Sequence, residues 1–452
     1  MKTRVSVTGV SPARVCAFTV IRRVFERGAY ADRALAAEAA GLGARDRALA
    51  TRLAYGTIQR RATLDHVAEA LVGRSLEALD APVLAALRLG LFQLLLLAGV
   101  ADHAAVNESV ELAKGAHGGG FKLVNAVLRR ATREGHAILD ALDDKTPEHA
   151  AVLHSVPEWL ARLWWAELGP AQARALLGRV NEPPESALRV NCLVAAPKDV
   201  LASLPVPARQ VAEIPEGLVL DGPFDAFGSE LWQSGAIMPQ SRASMLVARV
   251  LAPESGERVL ELCAAPGAKT THIAALMGGV GDVIAVERNA GRADALRRTS
   301  ARMHADCIRI EHADAALARS DGSFDRVLVD PPCSGLGTLQ SRPDIRWRSS
   351  LSDISALAAI QTRILAAGGA ATAPGGVLVY SVCTITRAEG EGVLERFLAE
   401  HPDFVVERRR SLMPHLDGTD GFFIARLRRS ESTAGALTEL PARVGPEHYP
   451  TA

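Results

Sequence analysis

Apolar residues in the first third of the chain recur with the spacing of amphipathic helices. One helical face carries Phe18, Ile21, Val24 and Phe25, and charged side chains occupy other positions of the same predicted helix. Similar patterns predict helices over 46–59, 83–97, 106–114 and 123–133, with Gly or Pro residues between them. The pattern therefore predicts an all-helical domain over residues 11–140.

The next stretch has a mixed pattern. It opens with the helical run PEWLARLWWAEL and continues as short apolar runs that prolines interrupt. This pattern is typical of a small α+β domain or an extended connector, and we predict such a connecting domain over 141–235.

From Arg258 onward, short apolar strands alternate with helical stretches. The predicted strands are RVLEL, VIAVE, IRIEH, FDRVLVD, GVLVYSV and FFIARL. Alternation of this kind predicts a mostly parallel, Rossmann-like sheet flanked by helices, an α/β fold, over residues 236–430. Residues 431–452 are predicted to be a flexible tail.

Composition and charge limit the possible partners and cellular locations of the protein. Hydrophobic residues make up 48% of the 452 positions, and Lys+Arg equals Asp+Glu at 51 each, so any contact with RNA must be local. The N-terminus lacks a secretory signal pattern, and the apolar run over 89–101 is too short to span a membrane. Six scattered cysteines without a C-x-x-C pair suit the reduced cytoplasm and predict no metal site.

Residues that follow the predicted strands form a candidate ligand site, because ligands of open parallel sheets bind beyond the carboxyl ends of the strands. The loop after the first strand, CAAPGAKTT, is neither a G-x-G-x-x-G nor a triphosphate-binding motif. Glu287 ends the second strand where an acid can accept both ribose hydroxyls, and Asp314 after the third strand could accept from an adenine amino group. Together they predict an adenosine without phosphates.

Two cysteines follow the fourth and fifth strands. Asp330 and Cys333 come after one strand and Cys383 after the other, so both sulfurs could face one substrate. A thiolate is a strong carbon nucleophile when a cation lowers its pKa, and Lys269 is a candidate for that cation. The alternative, that both are packed core cysteines, is the better interpretation of either one alone.

These residues also resemble a known family. LELCAAPGAKTTHIA, DPPCSGLGTLQSRPDIRW and VYSVCTITRAEGEGV resemble motifs of the S-adenosylmethionine-dependent RNA cytosine-5 methyltransferases. RDRALATRLAYGTIQRRATLDHV, LRLGLFQLLLL, HAAVNESVELAK and LVNAVLRR look like the NusB-like RNA-binding domain. The combination resembles the RsmB (Sun/Fmu) family of bacterial 16S ribosomal RNA methyltransferases.

The resemblance implies a specific chemistry. Cys383 is implied to attack C6 of a cytosine, Cys333 to assist departure of the product, and Asp330 to hold the cytosine edge. Lys269 is implied to position or polarise the site, and the cofactor is implied to be S-adenosyl-L-methionine. The resemblance implies that the cofactor-binding residues are Cys263, Ala264, Ala265, Pro266, Gly267, Ala268, Lys269, Glu287, Asp314 and Asp330. The implied target is C5 of nucleotide 967 in 16S rRNA, methylated by a monomeric cytoplasmic enzyme.

The sequence departs from the family pattern at several positions. Ala268 replaces a glycine, which is harmless only if its φ stays negative. Pro331 replaces a commoner alanine, and Val382 replaces a threonine. Gln340 and Ser341 replace an arginine pair, which weakens the case for an RNA contact there. The helical domain offers other arginines for phosphate contacts, with a solvated, salt-bridged face as the alternative: Arg22, Arg23, Arg60, Arg61, Arg129, Arg130 and Arg133.

Three alternative functions stay open at this point. The protein could be a non-catalytic RNA-binding assembly factor, although the set of Asp330, Cys333 and Cys383 argues against that. It could methylate an exocyclic nitrogen, although such enzymes tend to carry an aromatic residue where this chain has Cys333. It could also act on a different rRNA or tRNA target within the same family.

Overall fold

The first part of the computed structural model, which describes residues 9–115, 119–317 and 322–431, is helical. Its apolar faces pack into one core that includes Ile21, Leu53, Leu64 and Leu128. The helices are α1 (Pro12–Arg27), α2 (Ala31–Glu38), α3 (Ala44–Gln59), α4 (Arg61–Val72), α5 (Ala81–Leu95), α6 (Asp102–Ala113) and α7 (Gly120–Asp140).

Helix α5 is the centre of this core. Most of its residues are buried, which explains its nearly continuous apolar sequence and confirms that it is a core helix. Its two buried polar side chains are paired: Arg88 donates to Asp65 at 2.7 Å, and Gln93 accepts from Arg14 at 2.6 Å. The sequence pattern predicts neither α2, which has eight residues, nor α4, which only Arg60 separates from α3.

The middle part combines helices with a small antiparallel sheet, as predicted for the connecting region. Its strands lie in the order β2-β3-β1-β4. Helix α9 is broken at Gly169, whose φ of 78° and ψ of 163° suit glycine and precede Pro170. The elements are α8 (Pro147–Leu153), α9 (Glu158–Arg179), β1 (Ala187–Val190), α10 (Pro197–Ser203), β2 (Ala208–Val211), β3 (Ile214–Leu220), α11 (Glu230–Gln233) and β4 (Ile237–Pro239).

The last part is a seven-stranded sheet flanked by helices. Its strand order is β10-β11-β9-β8-β5-β6-β7. The elements are α12 (Arg242–Leu251), β5 (Arg258–Leu262), α13 (Ala268–Leu276), β6 (Asp282–Val286), α14 (Ala290–Arg302), β7 (Ile308–Glu311), β8 (Phe324–Val329), α15 (Leu351–Ala371), β9 (Thr372–Val382), α16 (Glu391–Glu400), β10 (Phe404–Leu412), α17 (Pro414–Asp417) and β11 (Phe422–Arg429).

The topology of this sheet creates one crevice at the carboxyl ends of its strands. Strands β5 to β9 are parallel, and β11 is antiparallel to both β9 and β10. The chain first moves from β5 outward through β6 and β7, then returns to place β8 on the other side of β5. The loops after β5 and β8 therefore diverge at a switch point, where ligands of such sheets bind.

The Rossmann-like α/β class and the six predicted strands are confirmed, whereas β10 was not predicted. Its sequence FVVERRRSL carries a run of exposed charges, because this strand forms an edge of the sheet and one side faces solvent. The predicted flexible tail over 431–452 lies outside the described residues, apart from Glu431.

A short segment after β8 joins all three parts of the molecule. Pro343–Trp347 forms 3₁₀ turns, and the Trp347 indole donates to the Ile58 carbonyl of α3 at 2.7 Å. The fully buried Arg346 guanidinium donates to the Ser155 carbonyl and to Asn181 Oδ1, each at 2.9 Å. This segment thus fixes the loop that follows β8 against the helical domain and against α8 and α9.

Among the described helices, one is long and apolar enough to cross a membrane by length and composition, and that helix is α15. It packs against β8, β9 and α16. Its apolar side thus covers the central sheet, as a core helix does.

Replacing Arg346 tests the bridge between the three parts. Arg346→Ala leaves several buried carbonyl groups without their donor, so we expect the midpoint of thermal unfolding to fall by about 5 °C or more. The matched control is Arg363→Ala on the exposed face of α15, which should shift the midpoint by about 1 °C at most. Calorimetry of both variants is the measurement, and equal midpoints would contradict the bridge.

Candidate active site

Two sulfur atoms meet at the carboxyl ends of β8 and β9. Cys333 follows β8, Cys383 follows β9, and their Sγ atoms are 3.2 Å apart, within hydrogen-bonding distance for sulfur. The parallel pairing of the strands, with Val329 opposite Tyr380, brings the two loops together. The structure thus places both cysteines at one point beyond the sheet edge.

Asp330 lies beside these sulfurs and is held from two sides. Its Oδ2 accepts from Lys269 Nζ at 2.7 Å, and its Oδ1 accepts from Ser381 Oγ at 2.8 Å. Burial lowers the pKa of Lys269, but Asp330, together with Cys383 and Glu261, more than compensates, so the net effect is a raised pKa. The ammonium group also lies over the Phe422 ring, 5.4 Å from its centroid. Lys269 is therefore a fixed cation.

The two thiols differ in their ionisation. The hydrogen bond to Cys383, together with burial, raises the pKa of Cys333 well above its usual value. The pKa of Cys383 is lowered to about 7, first by the hydrogen bond from Cys333 and then by Arg342, against the opposing effect of burial. Cys383 is therefore the better thiolate, and Cys333 is the donor of the hydrogen bond between them.

Arg342 is a cation of this site that sequence reasoning missed. Its Nη2 lies 3.7 Å from Cys383 Sγ, and its Nε donates to Thr338 Oγ1 at 3.1 Å. Lys269, the cation predicted from sequence, also lowers the pKa of Cys383, but its effect is smaller than that of Arg342. Nothing in the sequence singles out Arg342 from the nearby Arg346 and Arg348, because only the folded loop decides which arginine reaches the sulfur.

The loop after β5 has the compact backbone expected of a site that a ligand approaches closely. Cys263 and Gly267 adopt left-handed conformations with φ values of 65° and 103°. Ala268 is the first residue of α13, so its backbone is right-handed and helical, and its replacement of a glycine causes no strain. Burial raises the pKa of Cys263 to about 12, so this cysteine is a packed thiol.

Two further acids follow the next strands. Glu287 is buried at the end of β6, where Oε1 accepts from the Asn289 amide at 2.8 Å and Oε2 lies 3.5 Å from Arg292 Nε. Asp314 follows β7, is partly exposed and accepts from the Ala316 amide at 3.0 Å. Both carboxylates keep unused acceptor positions, which suits the hydroxyl and amino groups of an adenosine.

A buried acid on β5, Glu261, was also missed by sequence reasoning. Burial raises its pKa to about 8, and its Oε2 has no hydrogen-bond partner among the described residues. Its side chain is near Asp330 and Lys269, which affect its charge in opposite directions. In the strand sequence LEL, Glu261 alternates with leucines, as a polar residue of a strand commonly does. That the acid is neutral follows only from the packing around it in the folded protein.

The family departures are accommodated by local contacts. Gln340 is buried, and its side-chain amide donates to the carbonyls of Glu182 and Pro183 at 3.2 and 3.1 Å, so it holds the chain ahead of β1. Ser341 donates to the Thr338 carbonyl at 3.2 Å. Val382 is fully buried in the core of the sheet domain, where it has apolar neighbours.

Most of the arginines considered for RNA contacts in the helical domain are engaged within the protein. The Arg61 guanidinium stacks on the rings of Phe25 and Trp347, with its central carbon 5.0 and 5.1 Å from the ring centroids. The ion pairs are Arg22–Glu26, Arg23–Glu38, Arg61–Asp65 and Arg130–Glu134. The salt-bridged interpretation therefore describes these four arginines.

Comparison with known proteins assigns the family. Residues 248–428 match the model of the 16S rRNA methyltransferase RsmB/F, residues 11–133 match the NusB family, and residues 156–226 match the RsmF/B-like ferredoxin-like domain. A probable ribosomal RNA small subunit methyltransferase B from Bacillus subtilis is 34% identical over 86% of this chain and 92% of its own length. The chain belongs to the RsmB/F methyltransferase family.

Other relatives agree with this assignment. The ribosomal RNA small subunit methyltransferase B of Thermus thermophilus is 37% identical over 86% of this chain and 90% of its own length. A solved structure, PH0851, superposes with a TM-score of 0.79 at 25% identity, covering 94% of this chain and 100% of that one. NSun6 from Pyrococcus horikoshii, solved with SFG, has the same fold over 62% of this chain, with a TM-score of 0.57 and 21% identity.

This RsmB/F member is therefore a methyltransferase that uses S-adenosylmethionine. The loop over 263–269 and the acids that end β6, β7 and β8 are the residues whose chemistry fits that cofactor. No three His, Cys, Asp or Glu side chains in the described ranges come together as a metal site.

Removing the guanidinium beside Cys383 tests the charge balance of the site. Arg342→Gln should slow alkylation of Cys383 by iodoacetamide at pH 7 by about tenfold, because less of the thiol is ionised there. Arg342→Lys keeps the charge and should restore most of the rate. Peptide mass spectrometry against pH is the measurement, and an unchanged pH midpoint in Arg342→Gln would contradict this role.

Glu261 predicts a dependence of stability on pH. Its folded pKa of about 8 exceeds the ordinary value of 4.5, so the protonated acid stabilises the fold below pH 4.5, and this stabilisation is lost as the pH rises to about 8. The isosteric neutral variant Glu261→Gln lacks that loss. We expect the unfolding midpoint of Glu261→Gln to rise relative to the parent protein between pH 5 and 8; a constant difference would contradict a raised pKa.

Proposed function

We propose that this RsmB/F member methylates C5 of a cytosine in 16S rRNA, nucleotide 967 in standard numbering, through a covalent bond between Cys383 and C6 of the base. The observation that supports this best is the pair of sulfurs 3.2 Å apart beside Asp330. A methyltransferase that acts on an amino nitrogen has no use for a paired thiol and thiolate, whereas carbon methylation needs a nucleophile to activate the ring. The relatives named as small-subunit rRNA methyltransferases support the choice of RNA.

The chemistry requires a strong nucleophile because C5 of cytosine does not take a methyl group unaided. Cys383 Sγ forms a bond to C6, the C5–C6 π electrons shift to C4–C5, and the C4–N3 π electrons move to N3, so that C5 becomes an enamine carbon. C5 then forms a bond to the methyl carbon as the bond from that carbon to the sulfonium breaks, and the C4–N3 double bond re-forms. Finally a base accepts the proton from C5, its electrons re-form the C5–C6 double bond, and the C6–Sγ bond breaks to release the Cys383 thiolate, a step that we assign Cys333 to assist.

Bound S-adenosylmethionine supplies an electrophilic methyl group on a sulfonium. Cys263 to Lys269, Glu287 and Asp314 are the residues that we assign to its adenosine part. Asp330, which Lys269 and Ser381 hold in place, is assigned to the cytosine edge and to the cofactor. Its remaining lone pairs can accept from the amino group of the base.

Delivery of the base is assigned to the helical domain together with the crevice beyond the sheet. The target cytosine must leave its stack to meet Cys383, so we expect a loop or an opened stem of the rRNA as substrate. The bridge through Arg346 and Trp347 joins the helical domain to the loop that carries Arg342. The whole chain carries no net charge, so phosphate contacts must come from local clusters.

The decisive assay uses unmodified 16S rRNA and radiolabelled S-adenosylmethionine with the parent protein, Cys383→Ala and Cys333→Ala. We expect label on one cytosine, its loss in Cys383→Ala, and a protein–RNA adduct that accumulates in Cys333→Ala. Mass spectrometry of the nucleosides should give 5-methylcytidine. N4-methylcytidine, or label that survives in Cys383→Ala, would contradict the proposed mechanism.

A further inference from the structure

A buried carboxylate lies directly behind the two cysteine loops. Glu389 is fully buried in the turn before α16, and it follows Cys383 by six positions in the sequence. The Tyr380 hydroxyl, at the end of β9, donates to its backbone carbonyl at 2.6 Å. The turn is thus fixed to the strand that delivers Cys383.

Donors from both cysteine loops converge on the two oxygens of this carboxylate. Oε1 accepts from the Ser334 amide at 2.8 Å and from Gln361 Nε2 at 3.0 Å. Oε2 accepts from the hydroxyls of Ser334, Thr386 and Thr384 at 2.6, 3.0 and 3.3 Å. Ser334 is the residue after Cys333, and Thr384 is the residue after Cys383, so one side chain holds both loops.

The charges around the sulfurs are distributed unevenly. Arg342 Nη2 lies 3.7 Å from Cys383 Sγ, whereas Glu389 makes its two shortest side-chain bonds, of 2.6 and 2.8 Å, to Ser334, the residue after Cys333. Tyr380 also lies close to Cys333. The Glu389 carboxylate therefore lies against the loop of Cys333, and the Arg342 guanidinium lies against the sulfur of Cys383.

We propose that Glu389 is a positioning residue of this active site, whose carboxylate binds the loops of both cysteines and keeps the proton on Cys333, so that Cys383 is the nucleophile. The assignment of Cys383 rests on the proposed function, but the effect of Glu389 on the two thiols does not. A neutral group at this place would hold the loops without distinguishing the sulfurs. The carboxylate does both.

Glu389→Gln separates the two roles. Its amide oxygen can keep the bonds from the Ser334 amide and Gln361, and its NH₂ group can donate to hydroxyls that rotate to accept, so the contacts persist while the charge is lost. In a Cys383→Ser background, we expect Glu389→Gln to raise the rate of Cys333 alkylation by iodoacetamide at pH 8 by about tenfold, the usual effect of one neighbouring charge. A rate within about twofold of that of the Cys383→Ser single variant would overturn the proposal.

Two further variants complete the test. Glu391→Gln, at a partly exposed acid two residues away that pairs with Arg409, should leave the rate of Cys333 alkylation unchanged. Ser334→Ala removes one bond to the carboxylate but not its charge, and Cys333 alkylation should not rise. A rise as large in Ser334→Ala as in Glu389→Gln would show that loosened packing, and not charge, controls Cys333. If Glu389→Gln fails to fold, a rise of about tenfold in Ser334→Ala alone would still overturn the proposal, because the charge is kept in that variant.

The assay needs neither RNA nor cofactor, so its result is independent of the proposed methylation. If the parent protein methylates no cytosine but Glu389→Gln still accelerates Cys333 alkylation, the effect on the thiols stands and the proposed function fails. If methylation proceeds but alkylation does not respond, the proposal for Glu389 fails alone.

Discussion

The parallel pairing of β8 with β9 is the constraint that holds the candidate active site together. Val329 lies opposite Tyr380, so the next residues, Asp330 and Ser381, meet through a hydrogen bond of 2.8 Å. The two cysteines follow within three positions of those residues, and their sulfurs come into contact. A slip in register by two residues would move one loop by about 7 Å and separate the sulfurs.

The site also depends on charges that are local and mutually compensating. The chain has no net charge, yet the crevice holds Lys269, Arg342, Asp330 and Glu389 around two thiols. Each buried charge has an opposite charge or several donors within hydrogen-bonding distance, which offsets the cost of its burial. This arrangement allows a thiolate of pKa about 7 at Cys383 next to a thiol that keeps its proton.

Much of this site could be predicted from sequence because its parts are local. Strands end where apolar runs end, so Asp330, Cys333, Cys383 and the loop over 263–269 could be placed at one edge of the sheet without coordinates. Arg342 and Ser381 could not be assigned because their roles depend on which side chains the loops bring together. Gln340 shows the same limit: its partners at 182 and 183 are more than 150 positions away in sequence.

Glu389 belongs to the same class of residue. Its sequence context, ITRAEGEGV, places an acid near a helix start, for which a solvated cap is the usual interpretation. Only the folded turn shows that it is buried with donors from both cysteine loops. The missed strand β10 has a different cause, because an edge strand with exposed arginines lacks the apolar alternation that predicts strands.

The proposed bond between Cys383 and the target base can be trapped in a covalent protein–RNA complex. An RNA that carries 5-fluorocytidine at the target position cannot lose a proton from C5, so the covalent complex should persist after methyl transfer. We expect a stable protein–RNA complex whose digest carries the modified nucleotide on the Cys383 peptide. A complex on the Cys333 peptide, or methylated product without any complex, would contradict it.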